Sequence, residues 1–282
     1  MIDPVVSPAW LAARLTEPDV VVVDVRWYLS GKDGRAEYAA GHLPGASFVD
    51  LGRELALPPA PGRPGRHPLP TAEILSALLA RLGVTRTTTV VAYDDAGGAI
   101  AARLWWLLDA FGHGGGKVLD GGLPAWVAAG LPVTTEVVER TAAAPLPLAL
   151  QQGRVVDAEA VQALLKSGAV VLDARAAERY EGKLEPIDRR PGHVPGALSA
   201  PYAGNLAGGS FLSREALEAR YRSLGALAAS EVVAYCGSGV TACHTLLALT
   251  LAGRPGALLY EGSWSDWASR EELPAALGTE PG

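Results

Sequence analysis

"TVVAYDDAGGAIAARL", residues Thr89 to Leu104, and "EVVAYCGSGVTACHTL", residues Glu231 to Leu246, are one pattern written twice. Each opens on a short β-branched run, Thr89 to Ala92 or Val232 to Ala234, breaks into glycines and goes on as an apolar helical stretch. The runs are apolar throughout instead of alternating, as strands are when a parallel sheet is covered on both faces. A buried strand, a glycine loop and a helix in succession are the working part of a βαβ unit. The fold expected is therefore α/β.

The duplication extends outward from this pair. "VVVDVR" at Val21 to Arg26 returns as "VVLDAR" at Val170 to Arg175, and "GHLPGA" at Gly41 to Ala46 returns as "GHVPGA" at Gly192 to Ala197. "DGGLPAW" at Asp120 to Trp126 is paralleled by "EGSWSDW" at Glu261 to Trp267, in the same order along the chain. Helical patterns such as "TAEILSALLARLG" and "SREALEARYRSLG" lie between, and Gly83, Gly168 and Gly225 stand where left-handed helix caps belong. Repeats of this length predict two tandem domains of one fold, each a mainly parallel central sheet flanked by helices. The stretch "TTEVVERTAAAPLPLALQQG" has no periodicity, so the expected division is 1–140, a linker over 141–156, and 157–282.

Composition narrows the functions. Of the 282 residues 49% are hydrophobic and 19% charged, and the net charge of −6 argues against nucleic acid or an anionic membrane as partner. "MIDPVVSPAW" has no basic segment leading into an apolar one, and no apolar run reaches the roughly 18 residues that span a bilayer. A cytoplasmic protein with reduced thiols is expected, since two cysteines do not make a disulfide scaffold.

Cys236 stands where open α/β sheets bind ligands, beyond the carboxyl end of a strand and before a helix N-terminus. The glycines of "GSGV" allow the backbone to curl, and a helix beginning near Val240 or Thr241 aims its first N–H groups at the sulfur. A free thiol has a pKa near about 8.5, and such surroundings lower it to roughly 3.5–7.5, so a thiolate is expected. The helix dipole supplies at most about 2 kcal/mol of this, leaving the rest to hydrogen bonds. In the first copy the equivalent position is Asp94, which is no nucleophile, so one domain is active and the other supports it. Cys243, set among Ala and Leu in the helical stretch, reads as packing.

These residues resemble the rhodanese family in its tandem form, over nearly the whole chain. "CGSGVTAC" is similar to the active loop of the 3-mercaptopyruvate sulfurtransferase branch, and "GHLPGA", "GHVPGA", "DGG" and "EGSW" resemble other recurring stretches. The resemblance implies that Cys236 takes a sulfane sulfur from a small donor, rests as a persulfide and passes it to a thiophilic acceptor: a thiol, cyanide or a thioredoxin-like reductant. It implies no metal and no organic cofactor. Thiosulfate-preferring relatives carry basic side chains after the cysteine, whereas Gly237, Ser238 and Gly239 are neutral, which favours 3-mercaptopyruvate. In that branch the serine belongs to a hydrogen-bonded set with a His and an Asp of the first domain; His42 matches the histidine, and Asp33 is the nearest acid. His42 reads equally well as a turn residue tying its own loop, because His193 repeats it.

A donor carboxylate calls for arginine's planar fork. Arg179 aligns with one substrate-binding arginine of the branch. The second usually follows an "EP", but here "LEPIDRRPGH" puts Ile187 in its place, leaving Arg189 or Arg190 as substitutes. Gly237, Gly239, Val240 and Thr241 complete the expected substrate loop. Trp264, Trp27, Tyr28 and Trp105 are candidate walls of a cleft, with core packing the default for aromatics. The "FGHGGGK" around His113 lacks the spacing of a phosphate loop and reads as a turn. A cysteine phosphatase needs a C-x5-R loop, and position six after Cys236 is Ala242. Cys236, Cys243 and His244 lack zinc-ligand spacing. Thiosulfate transfer by the same mechanism and a non-enzymatic persulfide carrier stay open as alternatives.

Overall fold

The computed structural model describes residues 3–282. Its chain forms two compact units. The first gathers the chain up to Leu57 with Leu69–Gln151 and Gly208–Phe211; the second gathers Pro58–Pro68, Gln152–Ala207 and Leu212–Gly282. Pro58–Pro68 thus belongs with the second unit, although it lies in the first half of the sequence.

The first unit is built on a five-stranded sheet in the order Val5–Val6, Gly116–Leu119, Thr89–Tyr93, Val20–Asp24, Ser47–Phe48, with every neighbouring pair parallel. The second repeats it as Val155–Val156, Leu258–Tyr260, Val232–Tyr235, Val170–Asp173, Leu198–Ser199, again all parallel. Val20–Asp24 and Val232–Tyr235 are buried at every residue, which is why their sequences are apolar without alternation. No helix of the described residues is long and apolar enough to cross a membrane.

Helix boundaries follow local chemistry. The helices Ala72–Arg81 and Arg214–Ser223 start where the hydroxyls of Thr71 and Ser213 accept the N–H groups of Ile74 and Ala216. Both run into glycines, Gly83 and Gly225, at φ +73°. The stretch expected as a linker is less uniform than its composition suggests. Val155 and Val156 pair with Leu259 and Tyr260 as an edge strand, and Asp157 caps the helix Ala158–Lys166. Further back, Ala143 and Gln151 donate to the carbonyls of Ala80 and Ala110 at 2.8 and 2.9 Å, fastening this segment to the first unit.

The repeated "GH-PGA" motif is a fastening in both units. His42 and His193 are fully buried, stack on Tyr38 and Tyr180 at 3.8 and 3.7 Å, and pair through their main chains with Thr134 and Ala276. Beside each lies a buried ion pair, Arg26 with Asp24 and Arg175 with Asp173, and each arginine also donates to a carbonyl just before the histidine, that of Gly41 or Gly192. Removing one member of such a pair leaves a stranded charge, at a cost of about 3–5 kcal/mol.

Candidate active site

Cys236 immediately follows the strand Val232–Tyr235, and the helix Thr241–Leu251 begins after a four-residue turn. Its side chain is buried, with 2% of the residue exposed. The loop is pinned to the short helix Ser263–Trp267 that follows the neighbouring strand: Trp264 N–H donates to the Cys236 carbonyl at 2.9 Å and Ser265 N–H to that of Gly237 at 3.0 Å. In return, Cys236 N–H donates to the Ser263 hydroxyl at 3.1 Å, which itself donates to the Tyr260 carbonyl at 2.9 Å. Ser263 holds φ at +53°, the one non-glycine residue with positive φ among those described. That strain, about 1–3 kcal/mol, accompanies a hydroxyl that orients the Cys236 amide. Gly239 has φ +77°, and a Cβ there would lie 2.5 Å from the Glu261 carbonyl oxygen, so the turn admits only glycine.

Ser238 N–H points at the sulfur, 3.5 Å away. The first unit shows the full capacity of the same loop. There Asp94 Oδ1 accepts from the amides of Ala96 and Gly98, both at 2.9 Å, and Oδ2 from those of Ile100 and Ala101 at 2.8 and 2.9 Å. Burial pushes this carboxyl upward and the amides oppose it. With each oxygen already taking two N–H bonds, a carboxyl proton would face donors only, and we read the group as ionised. The strand-loop-helix unit is a cradle for an anion.

Around Cys236 the remaining functional groups come from two further segments of the second unit. His67 Nδ1 lies 2.8 Å from the Ser238 hydroxyl, and the Arg66 amide donates to Ser265 Oγ at 3.1 Å. A Cβ placed on Gly237 would sit 3.0 Å from Arg66 Nη2 and 3.3 Å from Arg179 Nη1, so both guanidinium groups lie against that glycine. Arg179 is held by Glu185 at 2.7 Å and by Asp188 at 3.0 Å, and Asp188 also pairs with Arg66. Burial pushes the Asp188 carboxyl up, while Arg66 pulls it down.

Of the residues expected from sequence, Cys236, Gly237, Ser238, Gly239 and Arg179 come together, with Val240 buried and Thr241 opening the helix. His42 does not join Ser238. Its Nδ1 and Nε2 face the carbonyls of Tyr38 and Glu136 at 2.8 and 3.1 Å, and the imidazole on Ser238 is that of His67. Asp33 is a helix cap, accepting from the amides of Arg35 and Ala36 at the start of Gly34–Ala40. Arg190 is a cap of the opposite kind: its guanidinium donates to the carbonyls of Trp267, Ala268, Arg270 and Leu273 at 2.9–3.1 Å, which leaves it no fork for a substrate. Arg189 is exposed to solvent.

The other candidates resolve as packing. Cys243 is buried in its helix and donates to the Gly239 carbonyl at 3.4 Å. Trp264 and Trp105 are core residues, and half-buried Tyr28 donates to Asp95 at 2.6 Å, with Trp27 half-buried beside it. His113 ties its turn to the Thr85 carbonyl at 2.9 Å. Sequence reading missed Arg66, His67, Glu185, Asp188 and Ser263. The one available signal was the pair of cations in "GRPGRHP", set in a Pro/Gly-rich stretch without periodicity.

A family model described as "Rhodanese-like domain" matches residues 7–129 and again 157–270. Over 275 residues the chain is 46% identical to a Pseudomonas aeruginosa protein named "Probable 3-mercaptopyruvate sulfurtransferase", covering 95% of this chain and 96% of that one. It is 33% identical over 302 residues to an Arabidopsis thaliana protein named "Thiosulfate/3-mercaptopyruvate sulfurtransferase 1, mitochondrial", covering 96% of this chain and 78% of that one. The crystal structure of SseA from Escherichia coli, described among 3-mercaptopyruvate sulfotransferases, superposes with a TM-score of 0.82 at 31% identity, covering 93% of this chain and 99% of that one.

Proposed function

The chain belongs to the rhodanese family, with two rhodanese-like domains in tandem, and from that premise we propose that it is a sulfurtransferase acting through a persulfide on Cys236. The favoured donor is 3-mercaptopyruvate. The observation that carries this reading is the Ser238 hydroxyl, one residue past a neutral glycine and hydrogen-bonded to His67 at 2.8 Å.

The reaction needs that proton carrier. The Cys236 thiolate attacks the donor sulfur, the carbon–sulfur bond breaks, and the electron pair leaves on carbon as the enolate of pyruvate. The proton of the donor thiol must then reach that carbon, giving pyruvate and a Cys236 persulfide anion. Ser238 and His67, hydrogen-bonded to each other beside the sulfur, would hold and pass that proton. Arg66 Nη2 and Arg179 Nη1, which lie against Gly237, are the charged donors for the donor carboxylate. The Asp94 cradle of the first unit supports the view that the loop stabilises an anion, here the thiolate and then the persulfide. In the second half-reaction an acceptor nucleophile, such as a thiol, cyanide or a thioredoxin-like reductant, takes the outer sulfur and returns Cys236 as thiolate. Two free cysteines suit a reducing compartment, and we propose the cytoplasm.

Thiosulfate is a second reading, favoured by the two guanidinium groups standing together at Gly237. Its chemistry differs in one respect: attack on the outer sulfur releases sulfite with no proton to move. Intact-protein mass after brief exposure to each donor tests the proposal. One added sulfur atom is expected from 3-mercaptopyruvate, and none in Cys236→Ser, which should melt as the parent does. A carrier module would acquire no sulfur from either small donor.

A further inference from the structure

Two arginines beside an anion cradle would make a strongly positive site, yet they are neutralised from within the fold. Asp188 sets Oδ1 on the Arg66 guanidinium and Oδ2 on Arg179 Nη2, so one carboxylate bridges both cations. Glu185 takes Nε and Nη2 of Arg179 at 3.2 and 2.7 Å, and its Oε1 also accepts the amides of Ile187 and Asp188 at 3.1 Å each. "LEPID" is therefore folded around Glu185 so as to present Asp188 to the two arginines. The Asp188 side chain is 5% exposed and that of Glu185 2%, so water screens neither charge well.

We propose that Asp188 is a specificity-determining residue: a resident carboxylate, seated on the Arg66–Arg179 pair, that selects singly charged sulfur donors against doubly charged ones. The inference rests on the sulfurtransferase reading and deepens it. An incoming donor binds against the field of this carboxylate, which stays in place, and Coulomb repulsion grows in proportion to the donor's charge. Whatever factor Asp188 imposes on the monoanion 3-mercaptopyruvate is therefore squared for the dianion thiosulfate. Building a repulsive element against the wrong ligand is an ordinary route to selectivity. Asp188 thus acts in the same sense as the neutral Gly237–Ser238–Gly239 turn.

The test compares kcat/KM for the two donors, with cyanide as acceptor, in the parent and in Asp188→Asn, which keeps the shape and removes the charge. A gain of about fivefold for 3-mercaptopyruvate should accompany one of about 25-fold for thiosulfate, chiefly through KM, moving the ratio about fivefold toward thiosulfate. Asp188→Glu, which retains the charge, should keep the parent's ratio. If Asp188→Asn folds poorly, Asp188→Ser carries the same expectation. An unchanged ratio in the neutral variants, or an equal loss for both donors, would make Asp188 a mere brace for the arginines and overturn the proposal. Absence of transfer from either donor in the parent would overturn the functional reading, and this inference with it.

Discussion

Two histidines separate what a side chain's identity says from what its surroundings decide. His42 stands in a motif that invites a catalytic role, but its ring nitrogens face two carbonyls in a buried turn, and His193 repeats its stacking on a tyrosine. His67 stands in no motif and reaches Ser238. His67→Ala should lower kcat with 3-mercaptopyruvate by about 10²–10⁴, the range for a lost proton carrier, and leave thiosulfate turnover nearly unchanged, because sulfite departs without a proton. Steady-state assays with both donors check this. His42→Ala should do the reverse: normal turnover below the melting transition, with stability lower by about 1–3 kcal/mol for each stranded carbonyl, read from denaturant unfolding. Arg190 teaches the same lesson, since sequence displays its charge but not the helix end on which its guanidinium is spent.

Among elements, the strand-loop-helix unit occurs twice with one anion built in and one implied. In the first unit the four amides on Asp94 are the loop's internal ties, so Asp94→Ala strands four donors, three of them buried. The melting temperature should fall by several degrees, at about 2–4 °C per kcal/mol, while Cys236 in the other unit still loads sulfur. Differential scanning calorimetry with intact-mass analysis on one sample tests both halves. Long elements of this kind were legible in the sequence, because a β-branched run followed by glycines and an apolar helical stretch is consistent at every level. The two-residue edge strand Val155–Val156 was not, because pairing with Leu259 and Tyr260 decides it and two residues carry no period.

For the molecule as a whole, the repeat made both sheets readable and concealed a place where the halves are not equivalent. Pro58–Pro68 comes from the first half of the chain but belongs with the second unit, where a Cβ on Gly65 would lie 2.4 Å from the Gly262 carbonyl oxygen. No local pattern announces such a crossing, so the place of Arg66 and His67 was not legible until the chain was folded. Exchanging Pro58–Pro68 for a Gly/Ser segment of equal length should leave both sheets intact by circular dichroism. The same exchange should reduce 3-mercaptopyruvate kcat/KM by at least about 10³, from the lost proton carrier and fork together. This crossing also bears on descent. On the proposed reading, a gene encoding only the second copy would keep Cys236 but not Arg66 or His67, so fission or recombination between the halves would break the set. On that reading, selection for transfer would keep the two copies in one reading frame, however far their sequences drift apart.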